Sequence, residues 1–247
     1  MTPLKAVSIV IPAYNEAATI VAIVARVRAA FAAFRGEIIV VDDGSKAATR
    51  TILREIAANA PELRVLVHAT NLGKGAAIRT ALAEATADVV LIQDADLEYD
   101  PADYPILLEP VLREEADVVY GNRFPSGRGR NVDPVFYLGN RLLSWLTRRL
   151  TGLGISDMEV GYKVFRAEIL RSVPLTSDGF GFEPEVTVKI ARLGCRVRQV
   201  PIRYHPRSRK EGKKIKWRHG LAAIGVLLRC RFLEVPSARH QASGRTT

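Results

Sequence analysis

The fold of this 247-residue chain is predicted chiefly from the segment VSIVIPAYNEAATI, residues 7–20. A short apolar run ends at Pro12, and apolar residues then recur with the spacing of a helix. Short apolar runs ended by proline are typical of buried strands. Residues 6–11 are therefore predicted as a strand and residues 16–34 as a helix.

The same alternation continues through the first half of the chain. Strands separated by helices indicate βαβ units and a mainly parallel sheet. The expected fold class is α/β, a mainly parallel Rossmann-like sheet flanked by helices, with a ligand crevice at the carboxyl ends of the strands. The further strands are predicted at residues 37–41, 64–67, 88–92 and 117–120, with helices that end near residue 58 or span residues 76–85 and 101–113.

The second half is less regular. Helices are predicted at residues 134–150, 183–193 and 221–233, and a strand at residues 196–202. The chain shows no internal repeat and no linker long enough to separate two domains. Residues 1–233 are therefore predicted to form a single domain, followed by a flexible tail at residues 234–247.

Positive charge is concentrated in two segments of the second half. The net charge is +10, yet residues 1–122 hold 11 basic and 17 acidic side chains, while residues 123–149 carry +5 and residues 196–218 carry +9. Such clusters suit nucleic acid, an anionic membrane surface or a phosphorylated substrate. Aromatic residues are sparse in the densest cluster, and no zinc knuckle, helix-turn-helix or RNA-recognition motif accompanies it. We therefore expect no nucleic-acid partner, and a scaffold role leaves the acidic motifs described below without a use.

Composition places the chain among globular proteins of a reducing compartment. An apolar content of 48% excludes overall disorder, and Cys195 and Cys230 cannot form a disulfide scaffold. No signal-peptide pattern and no apolar run of about 18 residues is present. The expected location is the cytoplasm, with peripheral binding to the cytoplasmic face of the membrane as an option. Residues 220–233 either lie in the membrane interface or pack as a core helix.

Acidic residues follow two of the predicted strands. Asp42 and Asp43 follow the second strand, and Asp94, Asp96 and Glu98 follow the fourth. Carboxylates at such an edge can hold a divalent cation, Mg²⁺ or Mn²⁺, which can in turn bind a diphosphate. The chain has no GxxxxGK[ST] motif and no GxGxxG after its first strand. The segment NLGKG, residues 71–75, instead offers backbone amides and a lysine that suit a base edge or an anion.

Four ordered motifs carry a resemblance to a known family. VSIVIPAYNEAATI, VVDDGSKAAT, NLGKGAAIRTALAEA and QDADLEYDP resemble the nucleotide-sugar half of the family 2 glycosyltransferases, which have the GT-A fold. Later segments, DVVYGNRF, SDMEVGYKVFRAEIL, GFGFEPEVTVKIARLG and VPIRYHPRSRKEGKKIKWRHG, resemble the polyprenyl-phosphate sugar synthases, the dolichyl-phosphate mannose synthase group. The resemblance covers residues 7–220.

This resemblance implies an inverting glycosyltransferase. Residues 1–122 would form a nucleotide-sugar half and residues 123–233 an acceptor half. The donor would be GDP-mannose or a UDP-hexose, and the acceptor a polyprenyl phosphate. The alternative acceptor is a sugar hydroxyl or another small molecule. The oligomeric state stays open.

The resemblance also assigns roles to residues of the first half. Pro12, Tyr14 and Glu16 would line the base and ribose pocket, Asp43 would contact the nucleotide, and Lys74 would lie beside the base. Asp94 would face the ribose or the metal, and Asp96 would be the main metal ligand. Glu98, the third metal-ligand candidate, stands where that group often has a glutamine ligand.

In the second half, Arg123 resembles an acceptor-phosphate ligand, with Arg128 and Arg130 as further candidates. Asp157 and Glu159 lie in a stretch that closes around the donor sugar. Arg207 and Lys213 or Lys214 match a basic loop that grips the donor diphosphate. The residues expected to carry the catalysis are Asp96, Asp157, Arg123 and Arg207.

The acceptor determines whether a base is needed. A phosphate monoester is already anionic near neutral pH and needs cations to hold it in line, for which arginine is suited. An acceptor hydroxyl would need a base, with Asp157, Glu159, Glu183 and Glu185 as candidates. Glu183 and Glu185 also suit the first turn of a helix, where carboxylates complement the helix dipole.

Overall fold

The computed structural model describes residues 5–129, 131–207 and 217–234, without the side chains of residues 217–219. The predicted Arg130, Lys213 and Lys214 and the tail from residue 235 lie outside the described residues. The strands are β1 Val7–Ala13, β2 Gly36–Asp42, β3 Leu63–Val67, β4 Val89–Ile92, β5 Val118–Asn122, β6 Lys163–Arg166 and β7 Val197–Pro201. The helices are α1 Ile20–Phe31, α2 Ala47–Ala58, α3 Lys74–Glu84, α4 Tyr104–Leu112, α5 Pro134–Thr151, α6 Ala167–Ser172, α7 Phe182–Arg192 and α8 Trp217–Leu228.

All seven strands join one sheet in the order β3-β2-β1-β4-β6-β5-β7. Every neighbouring pair is parallel except the two that involve β6, which is antiparallel to both β4 and β5. The predicted α/β class with a mainly parallel sheet is confirmed. The carboxyl ends of β1, β2, β4 and β5 consequently meet at one edge of the sheet.

The apolar pattern of the first unit is realised as predicted. Every residue of β1 except Pro12 is buried, and the buried stripe of α1 consists of Ile20, Ile23, Val24, Val27 and Phe31. Helix α1 begins at Ile20, four residues later than predicted. The intervening residues form a turn in which Asn15 has a φ of 55° and its Oδ1 accepts a hydrogen bond from Lys46 N at 2.8 Å. This turn leaves Glu16 at the sheet edge.

Strand β6 was not predicted, and it shapes the edge of the sheet. Its four residues begin with Lys163, a charged residue that is fully buried, so the sequence lacks a clear strand pattern there. Because β6 runs antiparallel, Lys163 pairs with Ile92 and Tyr120 near the carboxyl ends of β4 and β5. The loop that precedes β6, residues 155–162, is thereby delivered to the same edge.

The segment predicted as a helix at residues 221–233 consists of the end of α8 and a π-helical turn, Arg229–Leu233. Helix α8 packs against α5 and α7, and its Ala223 and Leu227 are buried, as is Cys230. Within the residues that the structure describes, no helix is long and apolar enough to cross a membrane.

Candidate active site

A cavity of about 470 Å³ opens at the carboxyl edge of the sheet. Its walls come from the segments that follow β1, β2, β4, β5 and β7 and from the starts of α3, α5 and α7. Most of the residues predicted for the site line it, namely Pro12, Tyr14, Glu16, Asp43, Lys74, Asp94, Asp96, Glu98, Arg123 and Arg207.

Asp43 organises the loop before α3. Its carboxylate accepts hydrogen bonds from the side chain of Asn71 at 2.7 Å and from the amides of Leu72 and Gly73 at 2.8 Å each. The fourth partner is His68 Nδ1 at 2.7 Å, which must carry the hydrogen when the carboxylate is ionised. All four acceptor positions of Asp43 are thus engaged within the chain. Its predicted contact with a nucleotide is expected to come through the loop that it holds.

Lys74, the first residue of α3, connects two walls of the cavity. Its Nζ lies 2.8 Å from Asp94 Oδ1 and 2.8 Å from Glu183 Oε1. Burial alone would lower the pKa of Lys74, but the charges of these two carboxylates raise it above its usual value. Lys74 is therefore a fixed cation between β4 and α7.

The carboxylates after β4 are held close together. Burial and the charges of Asp94 and Glu98 raise the pKa of Asp96 to about 7. Asp96 Oδ1 accepts a hydrogen bond from the Glu98 amide at 3.1 Å, and Leu97 between them has a φ of 62°. A β-carbon at Gly161 would lie 2.0 Å from Asp94 Oδ2, so any larger residue there would displace the Asp94 carboxylate from its present position.

These carboxylates have the donor chemistry that a divalent cation needs, although they do not form a three-ligand cage. Mg²⁺ and Mn²⁺ prefer carboxylate oxygens and usually take one or two of them, with the remaining ligands from water and substrate phosphates. Asp96 with Asp94 or Glu98 fits that pattern. Across the described ranges, the one group of three ligand atoms within 4.8 Å of one another is Glu185, Cys230 and Glu234.

Two basic side chains already neutralise the carboxylates of that second group. Lys189 Nζ lies 2.6 Å from Glu185 Oε1 and 2.9 Å from Glu234 Oε2, and Arg229 Nε lies 3.3 Å from Glu234 Oε1. The positive charge that a metal would supply to these carboxylates is therefore present in the chain. The carboxylates after β4 remain the better candidates for a metal.

Arg207, which follows β7, bridges the two sides of the cavity mouth. Its amide donates to Glu98 Oε1 at 2.9 Å, its Nε donates to the Asp96 carbonyl at 2.7 Å, and its Nη2 donates to Glu16 Oε2 at 2.8 Å. The predicted diphosphate-binding arginine is thus placed beside the metal-ligand candidates. In this arrangement its guanidinium is paired with Glu16.

Arg123, which lines the cavity, forms a buried ion pair with Asp157. Asp157 accepts hydrogen bonds from Arg123 Nε at 2.9 Å and Nη2 at 2.7 Å, from the Arg123 amide at 2.9 Å, and from Asn140 Nδ2 at 2.9 Å. The Arg123 guanidinium also lies within 5.4 Å of the ring centres of Phe124, Phe136 and Tyr204. The structure places Arg123 on the cavity and Asp157 behind it, with all four acceptor positions of Asp157 engaged.

Two carboxylates in the cavity have an oxygen with no hydrogen-bond partner among the described residues. They are Glu159, through Oε1, and Glu183, through Oε2, and both atoms are buried. Burial and the charge of Glu183 raise the pKa of Glu159 to about 7. These two buried oxygens therefore have acceptor capacity left for a bound hydroxyl.

Lys163 supports this region and was missed by sequence reasoning. Its Nζ donates to the carbonyl oxygens of Met158 and Val160, which flank Glu159, and lies 4.7 Å from the ring centre of Tyr120. Burial lowers the pKa of Lys163 to about 8. A lysine inside the apolar run VGYKVF was the signal available in the sequence. Asn140, by contrast, carries no such signal, and Arg128 donates to the Val132 carbonyl and does not line the cavity described here.

Comparison with known proteins gives a consistent result. The profile of the family described as glycosyl transferase family 2 matches residues 8–173. An undecaprenyl-phosphate mannosyltransferase of Micrococcus luteus is 34% identical over 228 residues, which cover 88% of this chain and 90% of that protein. Glycosyltransferase AglJ of Haloferax volcanii is 34% identical over 204 residues, which cover 82% of this chain and 64% of that protein.

Solved structures resemble the chain over most of its length. A glucosyl-3-phosphoglycerate synthase from Mycobacterium tuberculosis, in complex with Mn²⁺, UDP and glucosyl-3-phosphoglycerate, aligns with a TM-score of 0.70 and 27% identity, covering 92% of this chain and 80% of that one. A complex of the same enzyme with Mg²⁺ and UDP aligns with a TM-score of 0.69 and 27% identity, covering 92% of this chain and 79% of that one.

Proposed function

The chain belongs to glycosyl transferase family 2 and has the GT-A fold, and from this premise we propose that it transfers a sugar, with inversion, from a nucleotide-diphosphate sugar to a polyprenyl phosphate. The observation that carries the proposal is a single cavity that combines clustered carboxylates after β4 with Arg123 on the other wall. The relatives named for polyprenyl-phosphate substrates support the acceptor.

The donor is assigned to the side of the cavity formed after β1, β2 and β4. Pro12, Tyr14 and Glu16 form one wall, and the loop held by Asp43 presents Lys74 on another. GDP-mannose and UDP-hexoses are the donors to test.

The leaving group is assigned to Asp96 and Arg207. Asp96, with Asp94 or Glu98, would hold a divalent cation, which when bound neutralises the charge that develops on the diphosphate. Arg207 would add a second positive charge by exchanging its bond to Glu16 for the diphosphate. Before the donor binds, the bond to Glu16 keeps Arg207 beside the site.

The acceptor phosphate is assigned to Arg123. Asp157 and Asn140 fix the guanidinium through Nε and Nη2, whereas Nη1 makes no hydrogen bond with the described residues and remains for a phosphate oxygen. Because Asp157 has no free acceptor position, it fits a positioning role better than that of a base. An anionic acceptor needs no base, which agrees with this arrangement.

The second candidate function is transfer to a hydroxyl of a small molecule. The M. tuberculosis neighbour is solved with phosphoglyceric acid, and Glu159 and Glu183 have buried oxygens that can act on a hydroxyl. Under our proposal these oxygens instead bind hydroxyls of the donor sugar. Glu159→Gln distinguishes the two functions. If Glu159 is the base for a hydroxyl acceptor, the substitution abolishes turnover but leaves donor binding intact. If Glu159 binds the donor sugar, the substitution also raises the KM for the donor.

The test is a donor panel assayed with Mg²⁺ or Mn²⁺. GDP-mannose, UDP-glucose and UDP-N-acetylglucosamine are each offered with a polyprenyl phosphate or with 3-phosphoglycerate. We expect one donor to label the lipid. Arg123→Lys should lower kcat/KM about tenfold to a hundredfold by removing the charge-assisted fork. Arg113→Lys, at an exposed arginine directly after α4 and outside the cavity, should leave kcat/KM unchanged. Labelling of phosphoglycerate alone would establish the second candidate in place of the first.

A further inference from the structure

Helix α5 has its polarity reversed relative to an ordinary surface helix. Its fully buried positions include the polar Asn140, Ser144 and Thr147. Four large apolar residues of α5 are exposed. Because successive residues of a helix are rotated by about 100°, these four fall within one arc of roughly 80°, on the side of the helix opposite its buried residues. They are Val135 at 77% exposure, Leu138 at 69%, Leu142 at 56% and Trp145 at 48%, which we call the α5 apolar face.

We propose that the α5 apolar face docks on an anionic lipid bilayer. An exposed apolar stripe of this kind marks an interaction surface, and an amphipathic helix that lies in a membrane interface combines it with basic residues and tryptophan. Helix α5 contains three basic residues, Arg141, Arg148 and Arg149, and no acidic residue. All three arginines are exposed, and none is paired with a carboxylate of the described part of the chain.

The charge of α5 favours a bilayer over a second copy of the chain. Two α5 helices facing each other would bring six arginines into one interface, where they repel one another, whereas an anionic leaflet attracts each arginine. The Arg149 guanidinium lies 5.8 Å from the ring centre of Trp145, so that charge and aromatic ring sit together. Tryptophan is enriched at the level of lipid headgroups, where both groups find their preferred surroundings.

Neighbouring residues extend the surface. Helix α8 packs against α5, and α8 with its π-helical turn exposes Leu221, Leu228 and Phe232. Arg231 in the same turn is exposed as well. These residues are further candidates for contact with lipid, and α5 supplies the most continuous apolar stripe.

The position of α5 connects the docking surface to the cavity. Phe136 of α5 lines the cavity, and Asn140 of α5 holds the Asp157 carboxylate that fixes Arg123. A bilayer against the α5 apolar face would bring the phosphate of a membrane-bound prenol close to Arg123. This last step rests on the proposed function, whereas the docking itself does not.

The experiment is co-sedimentation of the full chain with vesicles of phosphatidylcholine, with and without phosphatidylglycerol, at low salt. We expect binding to the anionic vesicles, and a decrease of about tenfold or more in affinity for the double variant Leu138→Gln with Leu142→Gln. The matched control is Val21→Gln with Ile106→Gln, which removes two similarly exposed apolar residues from α1 and α4. The control should bind as the native chain does.

Three further readouts separate the outcomes. Docking is overturned if the native chain ignores anionic vesicles, if the α5 variant binds them unchanged, or if ultracentrifugation shows a dimer that the α5 variant abolishes. Nucleotide-induced thermal stabilisation of the α5 variant verifies its fold. Transfer to a short, water-soluble prenyl phosphate should survive in the variant. Vesicle binding that depends on α5, without any transfer to prenyl phosphates, would leave docking standing and refute the proposed acceptor.

Discussion

The pairing of Arg123 with Asp157 shows how neighbours decide what a carboxylate can do. Sequence alone presented Asp157 as a base or sugar-binding group. In the structure, four donors saturate it, three from Arg123 and one from Asn140. Asn140 lies 17 residues away on α5, and no local pattern connects it with Asp157.

Replacing this carboxylate should be costly for stability. In Asp157→Asn the Arg123 guanidinium stays buried but loses its counter-charge, so we expect the free energy of unfolding in urea to fall by about 3 kcal/mol or more. Glu62→Gln is the control, because the pair of Glu62 with Arg28 is partly exposed and should contribute far less. Equal effects of the two substitutions would contradict the assignment of Asp157 as a buried counter-ion.

At the scale of elements, Glu185 joins α7 to the loop that precedes it. Its carboxylate accepts from the amides of Thr176 at 2.9 Å and Ser177 at 2.7 Å, and from Lys189 Nζ at 2.6 Å. The same loop packs on α3, where the Ala76 amide donates to the Asp178 carbonyl at 3.0 Å. Glu185 therefore stabilises the contact between α7 and α3 next to the cavity.

The hydrogen bonds that Glu185 accepts from Thr176, Ser177 and Lys189, here called the Glu185 clamp, predict that the free energy of unfolding depends on pH. Burial alone would raise the pKa of Glu185, but the hydrogen bonds from Lys189, Ser177 and Thr176 outweigh it and lower the pKa to about 2. The unfolded chain takes up this proton near pH 4.5 and the folded chain near pH 2, so the stabilisation is complete above pH 4.5 and is lost as the pH falls toward 2.

Glu185→Gln should lower the free energy of unfolding by about 1 to 3 kcal/mol at pH 7, and the difference from the native chain should shrink between pH 4.5 and pH 2. Urea unfolding at several pH values measures both quantities. Glu109→Gln on α4, at an exposed ion pair, is the control and should show no such trend. A difference that stays constant down to pH 2 would count against the clamp.

Helices and strands with a continuous apolar pattern could be predicted from the sequence. Elements whose position depends on hydrogen bonds to residues elsewhere in the chain could not. The stripe of α1 follows directly from residue spacing, as do β1 and β4. Strand β6 was not predicted because it contains a buried cation, Lys163. This lysine donates hydrogen bonds to the carbonyl oxygens of Met158 and Val160, and no sequence pattern indicates these contacts. The predicted start of α1 at residue 16 was wrong because Asn15 and Lys46 form a turn across two loops.

For the molecule as a whole, the uneven charge has a structural counterpart. The acidic first half supplies the clustered carboxylates of the cavity, and the basic second half supplies Arg123, Arg207 and the arginines of α5. The motifs allowed both halves of the cavity to be anticipated, because the carboxyl ends of parallel strands must meet. The reversed polarity of α5 required the structure, since only burial shows which of its faces is covered.

The proposed metal site predicts a linked thermal stabilisation. At a concentration of GDP or UDP roughly 100-fold above Kd, with Mn²⁺ present, the melting temperature should rise by about 5 to 10 °C. Chelation with EDTA and the substitution Asp96→Asn should both remove the metal-dependent part of this rise. Glu115→Gln, at an exposed pair with Arg198, should retain it. The same rise in the presence of EDTA would argue against a metal at Asp96.

The antiparallel strand β6 also determines when, during synthesis of the chain, the edge of β4 becomes covered. Strands β3, β2, β1 and β4 are complete once residue 92 has emerged, but the free edge of β4 is covered only by residues 163–166. Until then a nascent chain carries a bare, apolar strand edge, which is a template for pairing with other chains. Release or cleavage before residue 163 would leave that edge permanently uncovered. We therefore expect truncated products of this chain to aggregate, whereas in the complete chain β6 covers the edge.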